Sequence, residues 1–286
     1  IRHPLTDADK IAQTIRYEAE PFLSMPLEQC VLQHRILDTF EGGTQILLMA
    51  VSKEKLAAAL EGWRGLDLDP VAVVADATAL WNCYAALGSS TTGAESEGES
   101  PVLLLADDPK PSEPLALQDP PAPSFAPVPA VGEPVMLLDL GARKTTMLLF
   151  AGKRLRLLRV LRVGFEPTAQ TDATEDLRSA VEVLVQEARR SWAASGLEEK
   201  SSRVLLTGGG ALHPAAPGLL SERFRCGVAR FRFLERLEHS LSSSEAERFE
   251  ALGACAVGAA LGALGADAAG IDFRREEFRY RGRLPR

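Results

Sequence analysis

Val135-Met136-Leu137-Leu138-Asp139-Leu140-Gly141-Ala142-Arg143-Lys144-Thr145-Thr146 is an apolar run that ends on an aspartate, turns through a glycine and two cations, and re-enters an apolar run. A second apolar run, Arg203-Val204-Leu205-Leu206, ends in Thr207-Gly208-Gly209-Gly210-Ala211-Leu212. Strand ends of this composition let backbone N–H groups and short side chains come close to phosphate. Two of them in one region predict a shared cleft. The small-residue stretch Ala251 to Leu264 reads as a closely packed helix beside it.

Outward from there, Thr145–Phe150 and Leu155–Val163 around Ala151-Gly152 complete a three-stranded meander with Val135–Leu140. Arg159 interrupts the alternation of the third strand and predicts a bulge or a strand end near Leu158. Thr171 or Asp172 caps a helix whose stripe is Leu177, Val181, Leu184, Ala188 and Trp192, and Gly196 stops it. A helix over Pro217–Phe224, a strand over Val228–Phe233 and one continuous helix from Glu245 to Leu264 follow.

Upstream, Thr6-Asp7-Ala8-Asp9 caps a helix carrying Ile11, Ile15 and Ala19, which Pro21 and Pro26 end. Cys30–Leu37 and Gln45–Val51 form a hairpin across Gly42-Gly43, and Ser52 caps a helix through Trp63. A strand over Pro70–Ala75 and a helix from Asp76 or Thr78 to Leu87 close this block. Gly88 to Ser100 is low-complexity, and eight prolines fall between Pro109 and Pro129, with a short strand placed at Val102–Leu105. Such a segment cannot supply ladder donors and predicts an extended insert. The expected organisation is a first-lobe fragment (1–100), a Pro-rich insert (101–133), a second lobe (134–266) and a basic exit segment (267–286).

The chain has 286 residues, is 46% hydrophobic and carries a net charge of -7, which argues against a general nucleic-acid binder. Charge is uneven: Ile271 to Arg286 holds six arginines against three acids. Cys30, Cys83, Cys226 and Cys255 have no disulfide or metal spacing and read as reduced core thiols. Ala251–Ala266 lacks charge but falls short of the roughly 20 residues a membrane helix needs. The start at Ile1 reads as that of an excised piece.

In this order, the Asp139 strand end, the Thr207-Gly208-Gly209-Gly210 turn and Ala254-Cys255-Ala256-Val257-Gly258-Ala259 resemble the second phosphate motif, the adenosine motif and the second connecting helix of the actin-like ATPase superfamily. The resemblance implies an α/β, two-lobed actin-like (ribonuclease H-like) fold with mixed sheets, its first lobe lacking the N-terminal phosphate motif. Within that superfamily, "IAQTIRYEAEPFLSMP" (Ile11–Pro26) and the Ile271–Gly282 segment are similar to the assembly-platform branch: type IV pilus assembly protein M and the cytoplasmic domain of type II secretion protein L. Glu276 stands where that branch suggests glycine.

What the resemblance implies is a scaffold at the cytoplasmic face of the bacterial inner membrane. It would dock a secretion or pilus motor ATPase to membrane platform partners, with the membrane next to the C-terminus, a homodimer as an option and no cofactor required. The first alternative is a nucleotide switch taking ATP and Mg²⁺ at Asp139, Gly141, Thr145, Thr146, Gly208, Gly209 and Gly210. The second is a sugar- or acetate-type kinase of the same fold. Each site residue also has a plain structural role open to it: Asp139 as a turn aspartate, the glycines as a sharp turn. Lys144 and Arg143 read as phosphate partners or a solvated pair, and His213 and His34 as structural. Lys153, Arg154, Arg156, Arg159 and Arg162 read as an exposed face or a surface for an acidic partner.

Overall fold

The structure, a computed structural model, describes residues 1–40, 42–88, 134–165, 173–194 and 203–282. The Pro-rich insert, the strand at Val102–Leu105, the caps at Thr171 or Asp172 and the stop at Gly196 lie outside the described residues.

The first block is β1 (Arg2–His3), α1 (Ala8–Ala19), β2 (Cys30–Phe40), β3 (Gly43–Ser52) and α2 (Lys53–Arg64). Its antiparallel sheet runs β1-β3-β2. Asp7 and Ser52 cap α1 and α2 by accepting from the Lys10 and Lys55 N–H groups. The alternation of β3 splits the block into two small cores. Ile46 faces Ile11 and Ile15 of α1, while Val31 packs with Leu56 and Leu60 of α2.

The second sheet is built of β4 (Pro134–Leu140), β5 (Thr145–Ala151), β6 (Arg154–Leu161), β7 (Arg203–Thr207) and β8 (Gly227–Arg230). Its order is β6-β5-β4-β7-β8, an antiparallel meander continued by two parallel strands. Val135 to Leu138 are all buried because β4 is central and covered on both faces. Met136, Leu138, Leu140, Met147 and Leu149 face α4 (Ala173–Ala194) and α5 (Ala216–Phe224). Leu137, Leu148, Phe150 and Leu205 face α3 (Asp76–Leu87), whose Tyr84 stacks on Phe150 with centroids 4.1 Å apart. The helix α3 lies beside α7 (Ala254–Ala263) on that face.

Four expectations need correction. Residues 71–75 form no ladder: the Val73 N–H donates to Asp272 Oδ1 (2.9 Å) and its carbonyl accepts from Phe273 (2.8 Å), so a returning segment takes up the Val73 backbone. The strand expected over Val228–Phe233 stops at Arg230, where Phe233 and Leu234 turn inward as a 3₁₀ turn. The last helix is two: α6 (Ser243–Leu252), closed by a Ser242–Glu245 capping box, and α7. They break at Gly253, where a Cβ would meet the Phe249 carbonyl at 2.8 Å. The bulge falls at Arg156, left unopposed between Leu149↔Leu157 and Phe150↔Leu155. Its guanidinium reaches Asp38 of β2 and ties hairpin to sheet.

The exit segment is packed along 271–274. Ile271, Phe273 and Arg274 are buried, and the chain crosses back from α7 onto α2. Arg274 Nη2 lies 3.2 Å from Asp69, and Glu276 lies 2.9 Å from Lys53 and 3.2 Å from Arg16.

Candidate functional site

Direct register neighbours in a sheet share a face. Asp139 pairs with Thr146 of β5 and Thr207 of β7, so all three point toward α3 and α7. Three of the residues singled out in the sequence converge here. Gly208 has φ +86°, and a Cβ on it would lie 2.5 Å from both Asp139 Oδ1 and the Leu140 nitrogen. Only glycine admits this turn against the carboxylate. Thr146 is buried, and its Oγ1 has no hydrogen-bond partner among the described residues.

The other predicted residues divide. Gly141 closes the β4–β5 turn, its N–H donating to the Lys144 carbonyl at 3.0 Å. Thr145 is one residue out of phase and lies on the opposite face, where its hydroxyl donates to the Val163 carbonyl at 2.8 Å. Gly210 is a packing position: a Cβ there would meet Phe165 Cβ at 2.7 Å and Leu140 Cβ at 2.9 Å. Gly209 is exposed, with Leu252 Cδ2 at 3.9 Å from its would-be Cβ. His213 Nδ1 accepts from the Ala215 N–H at 3.2 Å and belongs to the loop.

Sequence reasoning left out two members of the site. Asp76, at the start of α3, accepts from Lys144 Nζ at 2.5 Å across the mouth. Cys255, at the start of α7, donates to the Asp76 carbonyl oxygen at 3.6 Å. The sequence offers Asp76 only as one of two candidate helix starts and Cys255 only as a core thiol. Burial pushes the Asp139 carboxyl above its usual range, Asp76 adds to the rise and Lys144 opposes it. Burial first, then Asp139 and Asp76, push the Cys255 thiol up to about 12. The cluster is therefore a half-buried aspartate beside an Asp76–Lys144 ion pair at the mouth, a donor set suited to a hydrated cation or a phosphate.

Thr207 fixes the floor. Its hydroxyl donates to the Ala251 carbonyl at 3.1 Å, and the Gly208 N–H donates to the same oxygen at 2.7 Å, so the β7 turn holds the α6–α7 junction. A cavity of about 440 Å³ without Asp139 in its lining is bounded by Arg232, Leu234, His239, Ala246 and Glu250 among others. Burial raises the Glu250 carboxyl there, while Arg232 and the Leu234 N–H act against it. No group of three or more metal-ligating side chains and no helix long and apolar enough to cross a membrane occurs among the described residues.

No protein-family profile and no curated protein matches the chain. Among solved structures, a chain of the PilM-PilN type IV pilus biogenesis complex superposes with a TM-score of 0.66 at 20% identity, covering 93% of this chain and 75% of that one. A Bacteroides thetaiotaomicron protein with actin-like ATPase fold gives a TM-score of 0.42 at 11% identity, over 83% of this chain and 68% of its own. An archaeal actin homolog gives 0.32 at 11% identity, over 46% and 48%. With a meander, a crossing helix, a glycine-ended parallel strand and a small-residue helix in that order, the chain has the actin-like ATPase fold.

Proposed function

We propose that this chain is a scaffold domain of an assembly platform at the cytoplasmic face of a bacterial inner membrane, serving type II secretion or type IV pilus assembly. It docks the motor ATPase to membrane partners and turns nothing over. The observation that carries this reading is the superposition, over 93% of this chain, on one chain of a type IV pilus biogenesis complex. The chemistry of the cleft is compatible with it. Lys144 is held by Asp76, Thr145 by the Val163 carbonyl, and Gly210 is closed over by Phe165. The test is calorimetry of the full-length protein against the N-terminal domain of its cognate motor ATPase, with phosphate release followed in parallel. Binding without ATP turnover is expected. Absence of binding, or turnover abolished by Asp139→Ala, overturns the reading.

One observation favours a nucleotide switch as the second reading. The buried, unpartnered Thr146 hydroxyl shares a face with Asp139 beside Lys144. Asp139 and Thr146 fit a hydrated Mg²⁺ and Lys144 a phosphate, once Lys144 leaves Asp76. In this reading ATP with Mg²⁺ gives binding heat that Asp139→Ala removes; no heat with the wild type eliminates it.

A further inference from the structure

The cavity of about 440 Å³ bounded by Leu234, Leu241, Ala246 and Glu250 brings α6 and the 3₁₀ turn after β8 to one space. Glu250 is its buried acid, 6% exposed, and the backbone of Glu250 is held: its carbonyl accepts from the Thr207 hydroxyl at 3.2 Å. The carboxylate is only half used. Oε1 accepts from the Leu234 N–H at 3.3 Å. Oε2 has no hydrogen bond among the described residues, and its ion-pair neighbour is the Arg232 Nε at 3.5 Å. The contact with Leu234 is a structural role for one oxygen and leaves the other open.

Arg232 does not complete the site. Its side chain is 63% exposed and also lies 3.2 Å from Glu235 Oε1, so it is shared between two carboxylates. Glu247, a further member of the lining, pairs with Arg230. Three glutamates thus meet two arginines, which leaves one negative charge uncompensated; the other titratable group of the lining is His239. Burial foremost holds the Glu250 carboxyl above its usual range, with Arg232, the Leu234 N–H and His239 opposing and Glu235 adding to the rise. A carboxylate taken out of water is costly until a cation hydrogen-bonds to it.

We propose that this cavity binds an aliphatic cation, a guanidinium or ammonium group on a short alkyl stem, with Glu250 Oε2 accepting from the charged head and Leu234, Leu241 and Ala246 packing the stem. An apolar wall around one fixed, under-partnered carboxylate is the complement of such a group, which carries its donors at the tip of a hydrocarbon chain. A basic side chain of a protein and a free alkylamine share this chemistry. None of Asp76, Asp139, Lys144, Thr146 or Cys255 lines the cavity, so the inference stands whether or not the proposed function does.

The full 286-residue chain, labelled at its leucine methyl groups, is titrated with butylguanidinium and followed by nuclear magnetic resonance. Saturable shifts are expected, with nuclear Overhauser contacts from the butyl protons to the Leu234 and Leu241 methyls. Butanol and butyrate should give no saturable shift. Glu250→Gln keeps an acceptor for the Leu234 N–H and removes the charge, and it should weaken binding about tenfold or more. The Overhauser contacts need no variant, so they decide the matter even if Glu250→Gln fails to fold. No saturable shift of the wild type overturns the inference, and so do contacts to leucines elsewhere, equal binding of butanol, or unchanged affinity in a folded Glu250→Gln chain. The peptide Gly-Arg-Gly, blocked at both ends, separates the two sources: binding as tight as butylguanidinium points to a protein side chain and weaker binding to a free amine, and both support the site.

Discussion

A Cβ on Gly258 of α7 would stand 1.7 Å from the carbonyl oxygen of Ala79 on α3 and 3.0 Å from the Cys83 nitrogen. The two helices touch backbone to backbone there. Gly258→Ala must push α7 off α3, and we expect a loss of about 3 kcal/mol or more. Denaturant unfolding measures it. A loss below about 0.5 kcal/mol, the size of an ordinary surface substitution, would show that the crossing is not tight.

Asp139 makes the stability depend on pH with a definite sign. Its carboxyl is raised by burial and by Asp76, so the fold disfavours the ionised form. A raised folded-state value means stability is fully present below the ordinary aspartate range and falls as pH rises through the folded value. Asp139→Asn should therefore raise the melting temperature at neutral pH, with the gain shrinking to nothing in acid. A variant that is less stable than wild type at neutral pH contradicts this.

Phe273 carries the returning segment. It is buried against Leu56 and Leu60, and its N–H donates to Val73. Phe273→Ala should cost about 3–5 kcal/mol. Hydrogen exchange should rise in α2 and residues 71–75 and stay unchanged in α4. Uniform loss of protection would mean that the segment is not a local clasp.

The thiols should be slow. Cys83 and Cys255 are both pushed up to about 12, by burial foremost. Thiolate is the reactive form, so disulfide reagents at mildly alkaline pH should modify them slowly in the folded protein and rapidly on unfolding. Because Asp139 contributes to the rise at Cys255, Asp139→Asn should speed its labelling while leaving Cys226 unaffected. Equal rates in the two proteins count against the cluster.

Much of the fold could be read along the chain. The β4–β5 pair, the capping of α1 and α2 and the stripe of α4 follow from alternation and spacing acting over one or two turns. The misreadings share a cause. Residues 71–75 have a strand's composition, yet their partner is Asp272 and Phe273, far along the chain. The single helix expected from Glu245 to Leu264 breaks at Gly253, two residues past the Ala251 carbonyl that the distant β7 turn pins. Thr145 and Thr146 are indistinguishable by type, and only register with Asp139 separates them.

The order of elements, the buried face of each strand and the need for glycine at a sharp turn are local matters, and the sequence by itself determined them. Which ends meet was decided by the tertiary structure. Asp76 joins Lys144, Cys255 comes beside Asp139, and Arg274 closes on Asp69 because stacking α3 and α7 on one sheet face brings distant segments together. Burial then sets the chemistry: charge and proton affinity depend on what surrounds a group in space, and neighbours along the chain do not fix that.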